Sequence, residues 1–530
     1  MITFFSLEMQ AGRVERRGAR KQPGRHSRQL RWEPISVGDL KIFFALESMM
    51  GLVKKSRLED YWNRGTLVDT PTFGQYMSRN VFQLILSNLH LVDNTLDDKT
   101  PLFKIQPFID MCENNFRYAY YPERDLCVDE ACIAFKGRCK FRMYNPRKPE
   151  RFHVLNYTLC ESCSGYVVGF EVYQGKENGK RISRQTPRLI DPTCNTVTKV
   201  VMRLLHKTGL LDAGHHVYTD NYYTSKELAA ELSFRHTYLC GTIKAKSKQY
   251  PEACKNAALL GGESVFRRDE ETGALALKWR TPYKEEEKLV KMLTTIHDST
   301  EQDLKLDYTA KKVITKPSCI QDYTMNMRGV DRNDQLSQYY YGKRRSNKCW
   351  VKMLFFFFNL ILTNAYVLHK IYHTKRGTPE NVKSHMKFVF TILNTLLEEG
   401  RLTATHQPRN YNDRADDVEQ GNTRLTGRDH LPTNAYVRNS NKKSSKPCYL
   451  CKQVAKQTGD KSFRHWTTFE CKTCKKSLCV GIRDCHVIYH KHWNCVEVAK
   501  NIATQTRNDA QRRNDEEDPD GQIDDEEDAD

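Results

Sequence analysis

Apolar residues return at helical spacing soon after the first basic stretch: Leu40, Phe43, Phe44 and Leu46 follow Ser36, with Asp39 three residues on as a capping-box pair. This predicts a helix beginning after Ser36, with further helices over Arg79 to Leu91 and Phe108 to Phe116. From Leu126 the signal changes to strand, with β-branched or alternating runs at Val167 to Tyr173, His216 to Thr219 and Tyr238 to Ile243. Helical patterns at Val197 to Leu205 and Lys226 to Leu232 separate these runs. Such alternation predicts a mixed α/β domain. Between Lys244 and about Lys311 the pattern is polar and β-rich, as in Ala274 to Trp279 and Leu289 to Leu293, and reads as an insertion into the main fold. Helix returns from about Ile320 to Tyr340 and from Trp350 to His373. The run Met353 to Leu362 is the one membrane suspect. Asn359, Thr363 and Asn364 interrupt it and Lys370 ends it, short of the ~20 apolar residues a span needs, so a buried helix is the expectation.

Composition sharpens this outline. The formal net charge of the 530-residue chain is +19, although eleven acidic residues lie in Asp515 to Asp530, so the rest carries +30. That excess predicts a polyanionic partner, because lysine and arginine neutralise phosphates and release counterions. Residues 11 to 31 hold Arg13, Arg16, Arg17, Arg20, Lys21, Arg25, Arg28 and Arg31 against Glu15 alone. They suit a disordered arm, a nuclear localisation signal or a DNA-contacting segment. The apolar run at Met1 to Leu7 is too short for a signal peptide. Eighteen cysteines without a secretory signal imply reduced thiols, and seven of them fall between Cys448 and Cys495, which points to metal rather than disulfides. A nuclear or cytosolic compartment follows.

Three segments set an aspartate at the end of a strand or on a helix. They are Leu126-Cys127-Val128-Asp129-Glu130 with Phe135-Lys136-Gly137-Arg138 after it, Val217-Tyr218-Thr219-Asp220-Asn221-Tyr222-Tyr223, and Met327-Arg328-Gly329-Val330-Asp331-Arg332-Asn333-Asp334. Carboxylates are natural ligands for Mg²⁺ or Mn²⁺, and two such ions can hold the attacking and leaving oxygens of a phosphodiester. Asp331 and Asp334, spaced i and i+3, share a helix face. A helix packed on the sheet would bring that face to the edge where Asp129 and Asp220 converge, an RNase H-like arrangement.

Taken together the three segments resemble the piggyBac transposase family in order and spacing, as do Tyr61-Trp62, Phe141-Arg142-Met143-Tyr144-Asn145-Pro146 and Cys240-Gly241-Thr242. The resemblance covers roughly Trp32 to His373 and the cysteine module. It implies an RNase H-like fold, divalent metals on Asp129, Asp220 and Asp331, and Asp334 as an accessory acid. It also implies cleavage and strand transfer on double-stranded DNA at terminal inverted repeats, with joining at TTAA targets, in the nucleus. Trp350 corresponds to a family tryptophan near the transposon end, where stacking on an unpaired base and a core position are alternative roles. Arg138 and Trp350 are the DNA-contact candidates of the main domain, and a homodimer is the expected assembly. Two departures stand out. Lys148-Pro149 leads into Arg151-Phe152-His153-Val154-Leu155-Asn156, where members carry Gly-Ile-Lys, and the region before Trp32 is shorter than is typical.

The cysteine module pairs Cys448 with Cys451 and Cys471 with Cys474 at CxxC spacing, followed by Cys479, Cys485, His490, His492 and Cys495. Thiolate and imidazole suit tetrahedral Zn²⁺. A cross-brace would hold two ions. One would sit on Cys448, Cys451, Cys479 and Cys485; the other on Cys471, Cys474, His490 and either His492 or Cys495, leaving His465 spare. The order resembles the carboxy-terminal finger of the same family, and Lys472 and Lys475 suit phosphate contact.

The expected organisation is a basic arm (1–31), a helical dimerisation or DNA-binding region (32–124), an RNase H-like catalytic domain (125–243 and 312–340) interrupted by the β-rich insertion (244–311), a second helical region (341–402), a linker (403–446), the zinc module (447–496) and a tail (497–530) that is acidic from 515. Two functional classes compete with an active transposase. A domesticated DNA-binding regulator would keep fold and finger without transposition. A ubiquitin ligase shares the cross-brace but typically carries a final CxxC pair, which is missing from this module.

Overall fold

The computed structural model describes residues 33–505 except 64–68, 97–99, 178–179, 182–189, 245–246, 283–287, 308–311, 343–344, 407–431, 435–443, 472–473, 482, 492–494 and 503. The basic arm, much of the linker, Lys472, His492 and the acidic tail therefore lie outside the described residues. The chain divides into two compact units, 1–407 and 408–530.

In the first unit, helix α1 (Val37–Leu52) starts where the capping box was expected. Asp39 N–H donates to Ser36 Oγ at 3.1 Å, and Ser36 N–H donates to Asp39 Oδ2 at 2.8 Å. Helices α2 (Arg79–Asn88) and α3 (Gln106–Ala119) bury one face each, through Phe82 and Ile85 and through Phe108, Ile109, Cys112 and Phe116.

The strands that follow are β1 (Asp125–Ala134), β2 (Arg142–Tyr144), β3 (Phe152–Glu161) and β4 (Val167–Val172), then β5 (His216–Thr219) and β6 (Tyr238–Thr242). β1 lies antiparallel to β3 and parallel to β5, β5 is parallel to β6, and β4 pairs antiparallel with the outer side of β3. The order β4-β3-β1-β5-β6 is that of an RNase H-like core. Helix α4 (Thr196–Thr208) leads into β5, and α5 (Lys226–Phe234) is the crossover between β5 and β6. β3 has no simple alternation because eight of its ten residues are buried, as a strand covered on both faces requires.

The β-rich stretch does not stand apart from this core. β7 (Ser264–Arg268), β8 (Leu275–Arg280) and β9 (Leu289–Thr294) form a meander whose last strand pairs with β6, Met292 opposite Thr242 and Thr294 opposite Cys240, so one sheet runs on through both. The expected helix over Ile320 to Tyr340 is two helices, α6 (Ser318–Asn326) and α7 (Gly329–Tyr339). The break falls where Gly329 presses on β1: a Cβ there would lie 2.5 Å from Cys127 Sγ and 2.9 Å from the Glu161 carbonyl. Buried Asn333 fixes the new direction, its Nδ2 donating to the Gly165 carbonyl at 2.9 Å.

The long apolar helix α8 (Cys349–Lys375) is the spine of this unit, followed by α9 (His385–Thr403). Phe357 stacks on Phe170 at 4.5 Å and Phe358 on Phe44 at 4.7 Å. The polar interruptions are paired inside the fold. Asn359 Nδ2 donates to the Ser337 carbonyl at 2.9 Å, and Asn364 makes two bonds to the Val167 backbone at 3.0 and 2.9 Å.

The end of β5 is packed equally closely. A methyl group on Gly241 would come within 2.1 Å of Thr224 Oγ1 and 2.6 Å of the Thr219 carbonyl. Gly241→Ala is therefore expected to cost ~1–3 kcal/mol by overpacking. A thermal melt several degrees below wild type checks it; an unchanged melt contradicts the packing described.

Candidate metal centres

Asp129 lies within β1 rather than at its end. It is β5 that stops short: Val128 pairs with Thr219, so the turn after β5 sets Asp220 beside Asp129 at the point where the neighbouring strand ends. Asp220 opens that turn. Its Oδ1 accepts from Tyr222 N–H at 2.9 Å, and its carbonyl accepts from Thr224 Oγ1 at 2.8 Å and Thr224 N–H at 3.1 Å. Burial pushes the Asp129 carboxyl up to about 7; the charges of Asp220 and Glu130 add to the rise, while a hydrogen bond from Glu130 N–H, at 2.7 Å, opposes it.

On α7, Asp331 is exposed in the first turn and Asp334 is half-buried one turn later. Burial raises the Asp334 carboxyl to about 7, and Asp331 adds to the rise. The four acids thus form two electrostatic pairs, Asp129 with Asp220 and Asp331 with Asp334. Among the described residues their oxygens do not close into one group within 4.8 Å. Lys148 lies beside the neighbour of Asp129 on β1, its Nζ 3.8 Å from Glu130 Oε2. It lowers both Asp129 and Asp334. The donor set fits Mg²⁺ or Mn²⁺: hard oxygen ligands, crowded enough that two are held partly protonated, are what a divalent cation relieves.

A cavity of about 570 Å³ opens beside Asp334, with Lys136, Arg345 and Lys352 in its wall. Arg138 is exposed just past β1, and Trp350 is half-buried in the first turn of α8 with Lys348 Nζ 5.8 Å from its ring. The two segments are neighbours, because Cys139 hydrogen-bonds Cys349, an interaction that lowers the Cys139 thiol to about 7.

In the second unit, Cys448 caps helix α10 (Tyr449–Thr458), Cys451 occupies its first turn, and Cys485 opens helix α11 (Cys485–Lys491). These three and Cys479 are buried, with all four sulfurs within 4.8 Å of one another. The Sγ of Cys451 is 3.9 Å from that of Cys479 and 3.6 Å from that of Cys485. A tetrahedron with 2.3 Å Zn–S bonds has edges of ~3.8 Å. Cys479 N–H donates to Cys448 Sγ at 3.4 Å, and His465, without a role in the sequence reading, has Nδ1 3.2 Å from Cys479 Sγ. Both contacts suit a thiolate cluster.

The second cluster is Cys471, His486 and His490, with Cys474 Sγ 3.6 Å from His490 Nε2. That separation is ~3.6 Å in a tetrahedral site with one sulfur and one nitrogen ligand. His490 Nδ1 lies 2.6 Å from the His486 carbonyl, which fixes the tautomer with Nε2 free to ligate. The sequence reading did not name His486, and His492, one of its two candidates for the last ligand, lies outside the described residues. The i, i+4 spacing of His486 and His490 was the available signal, since it puts two imidazoles on one helix face. Cys495 is buried in the core of the same unit. Lys475 is exposed at a positive φ of 53° in the Cys471–Cys474 knuckle.

Comparisons with known proteins agree with this architecture. The family model described as "Transposase IS4" matches residues 16–366. Human PiggyBac transposable element-derived protein 3 is 25% identical over 349 residues, 64% of this chain and 56% of that protein. Human PiggyBac transposable element-derived protein 5 is 21% identical over 360 residues, 65% of each. The chain thus spans between about half and two thirds of the length of these relatives. Among solved structures, the cryo-EM structure of piggyBac transposase synaptic complex with hairpin DNA matches with a TM-score of 0.65 at 19% identity, covering 90% of this chain and 91% of that one.

Metal analysis of the purified chain is expected to give two zinc ions. His486→Ala should reduce this to one, whereas Cys495→Ser should leave two; the opposite pattern would restore Cys495 as the ligand. A second expectation concerns pH. Asp129 titrates near 7 when folded and near ~4 when unfolded, so the cost of its charge builds across that interval and is complete above it. Asp129→Asn should therefore raise the melting temperature of Mg²⁺-free protein at pH 8, by ~2 °C or more, and by less at pH 5.

Proposed function

Because the chain belongs to the piggyBac transposase family, we propose that it is a metal-dependent DNA-cleaving and strand-transferring enzyme acting in the nucleus on terminal inverted repeats. The observation that carries this reading is Asp129 and Asp220 side by side where β5 ends, with Asp331 and Asp334 on the helix that presses on β1 and a cavity walled by Lys136, Arg345 and Lys352 next to Asp334. The acids suit the cations and the lysines and arginine suit phosphate. Asp129, Asp220 and Asp331 would hold Mg²⁺ or Mn²⁺, with Asp334 as accessory acid; ions bound there supply charge neutralisation at the attacking and leaving oxygens. Water attack at the element's end releases a 3′-OH, that hydroxyl attacks the opposite strand to close a hairpin and free the element from its flank, a second water reopens the hairpin, and the regenerated 3′-OH displaces the target strand's 3′-oxygen at TTAA. Arg138 and Trp350 would contact the DNA end. The zinc module, through Lys472 and Lys475, would read the repeat, and two copies of the chain would bring two ends together.

A second reading, a regulatory DNA-binding protein without transposition, is favoured by the names of the human relatives, which are described as transposable element-derived. One assay separates the two. Purified protein with a labelled duplex carrying the flanking inverted repeat should give a Mg²⁺-dependent nick followed by a hairpin. Asp220→Asn should lower that rate at least ~100-fold, since it removes a ligand rather than a DNA contact, with binding in a gel shift unchanged. Tight, repeat-specific binding with no cleavage by the wild-type chain would establish the second reading instead.

A further inference from the structure

Among the described residues, Lys148 is the cation whose charge bears on both Asp129 and Asp334, and the fold holds it in place. It sits in the loop between β2 and β3, which closes on itself: Asn145 N–H donates to the Arg151 carbonyl at 2.9 Å, Arg147 N–H to Asn145 Oδ1 at 3.1 Å, and Lys148 N–H to the Asn145 carbonyl at 3.3 Å. The strands on either side are in register, Met143 opposite His153 and Tyr144 opposite Phe152, and β3 is in turn zipped to β1. The loop is therefore fixed relative to Asp129 and Glu130. The Lys148 side chain is 36% exposed, Nζ lies 3.8 Å from Glu130 Oε2, and Tyr223 Oη donates to the other oxygen of Glu130 at 3.3 Å. Its charge acts on two of the elements that carry the acids: it opposes the rise at Asp129 on β1 and at Asp334 on α7. Burial would lower the Lys148 ammonium, but its pKa rises because the fields of Cys132, Glu130, Asp129 and Asp331 outweigh that cost.

We propose that Lys148 is an internal counter-cation of the acid cluster, which holds the two carboxylate pairs in place without a divalent ion and lowers the affinity of the cluster for that ion. The inference rests on the metal-site reading above and adds a competition to it. Lys148 and a divalent ion draw on the same carboxylate charge and repel each other, so the ion binds against the lysine's field. When a DNA phosphate enters, it offers Lys148 a second anion. Metal loading is then favoured with substrate present, which ties cation binding to DNA binding through one side chain. Lys148 is a positioning residue in this account, acting on the acids rather than on the reacting atoms.

Mn²⁺ binding to the full-length zinc-loaded protein tests this without any activity measurement, with Asp129→Asn marking which binding belongs to the acid cluster. Lys148→Met is expected to bind Mn²⁺ at that cluster at least ~5-fold more tightly than wild type, as Coulomb repulsion across a few ångströms in a high-dielectric site predicts, and Lys148→Arg should stay near wild type. The melting temperature supplies a second readout. Lys148→Met should melt below wild type without Mn²⁺, and saturating Mn²⁺ should remove the difference. Equal or weaker Mn²⁺ binding by Lys148→Met overturns the counter-cation and leaves the metal site standing. Absence of Asp129-dependent Mn²⁺ binding in both wild type and Lys148→Met overturns the metal-site reading and this inference with it.

Discussion

The close approach of α7 to β1 governs where the candidate chemistry stands. Gly329 has no side chain, and the space a methyl group would need is filled by the Cys127 sulfur, the Glu161 carbonyl and the Cα of Ser162. Two residues on, Asp331 begins the acidic face of the helix, and Asn333 ties that helix to the turn after β3. A larger residue at 329 would lift the whole of α7, moving Asp331 and Asp334 away from Asp129. The same economy recurs at Gly241, where β6 runs tightly past the turn that carries Asp220. Two glycines therefore set the spacing of four carboxylates, although neither carries any chemistry.

Much of the fold was legible in the sequence, and the failures have physical causes. Elements with a local signal of their own announced themselves: α1 by its capping box, α4 and α5 by helical periodicity, β5 and β6 by short β-branched runs. β3 did not, because burial on both faces erases the alternation that marks a strand. The break between α6 and α7 was hidden for a different reason. Gly329 reads as a tolerated helix residue until the strand pressing on it is known. The β7–β9 meander carried a clear strand pattern but no information on which edge it would join; pairing with β6 is a long-range fact.

The candidate site divides in the same way. Asp129, Asp220, Asp331 and Asp334 were visible through the segments around them, although Asp129 sits inside its strand rather than at the end. Cys448, Cys451, Cys479 and Cys485 were legible as a set from their spacing, and the structure gathers the four sulfurs. His486 was not named, although a helix over Cys485–Lys491 makes positions four apart neighbours. Lys148 was noted only for the departure that follows it. Its place among the acids depends on a β2–β3 hairpin that local sequence does not announce.

The bonds between Asn364 and Val167 have a further consequence. β4 is an outer strand of the sheet, and an unpaired strand edge is a template on which another chain can add. Here a side chain from α8 occupies both the donor and the acceptor of Val167, and the aromatic stack of Phe357 on Phe170 holds the helix against that border. At the far border, β7 presents exposed Arg267 and Arg268. At Val167 a side-chain amide takes the place of a neighbouring strand, and at the far border paired positive charges oppose the addition of one.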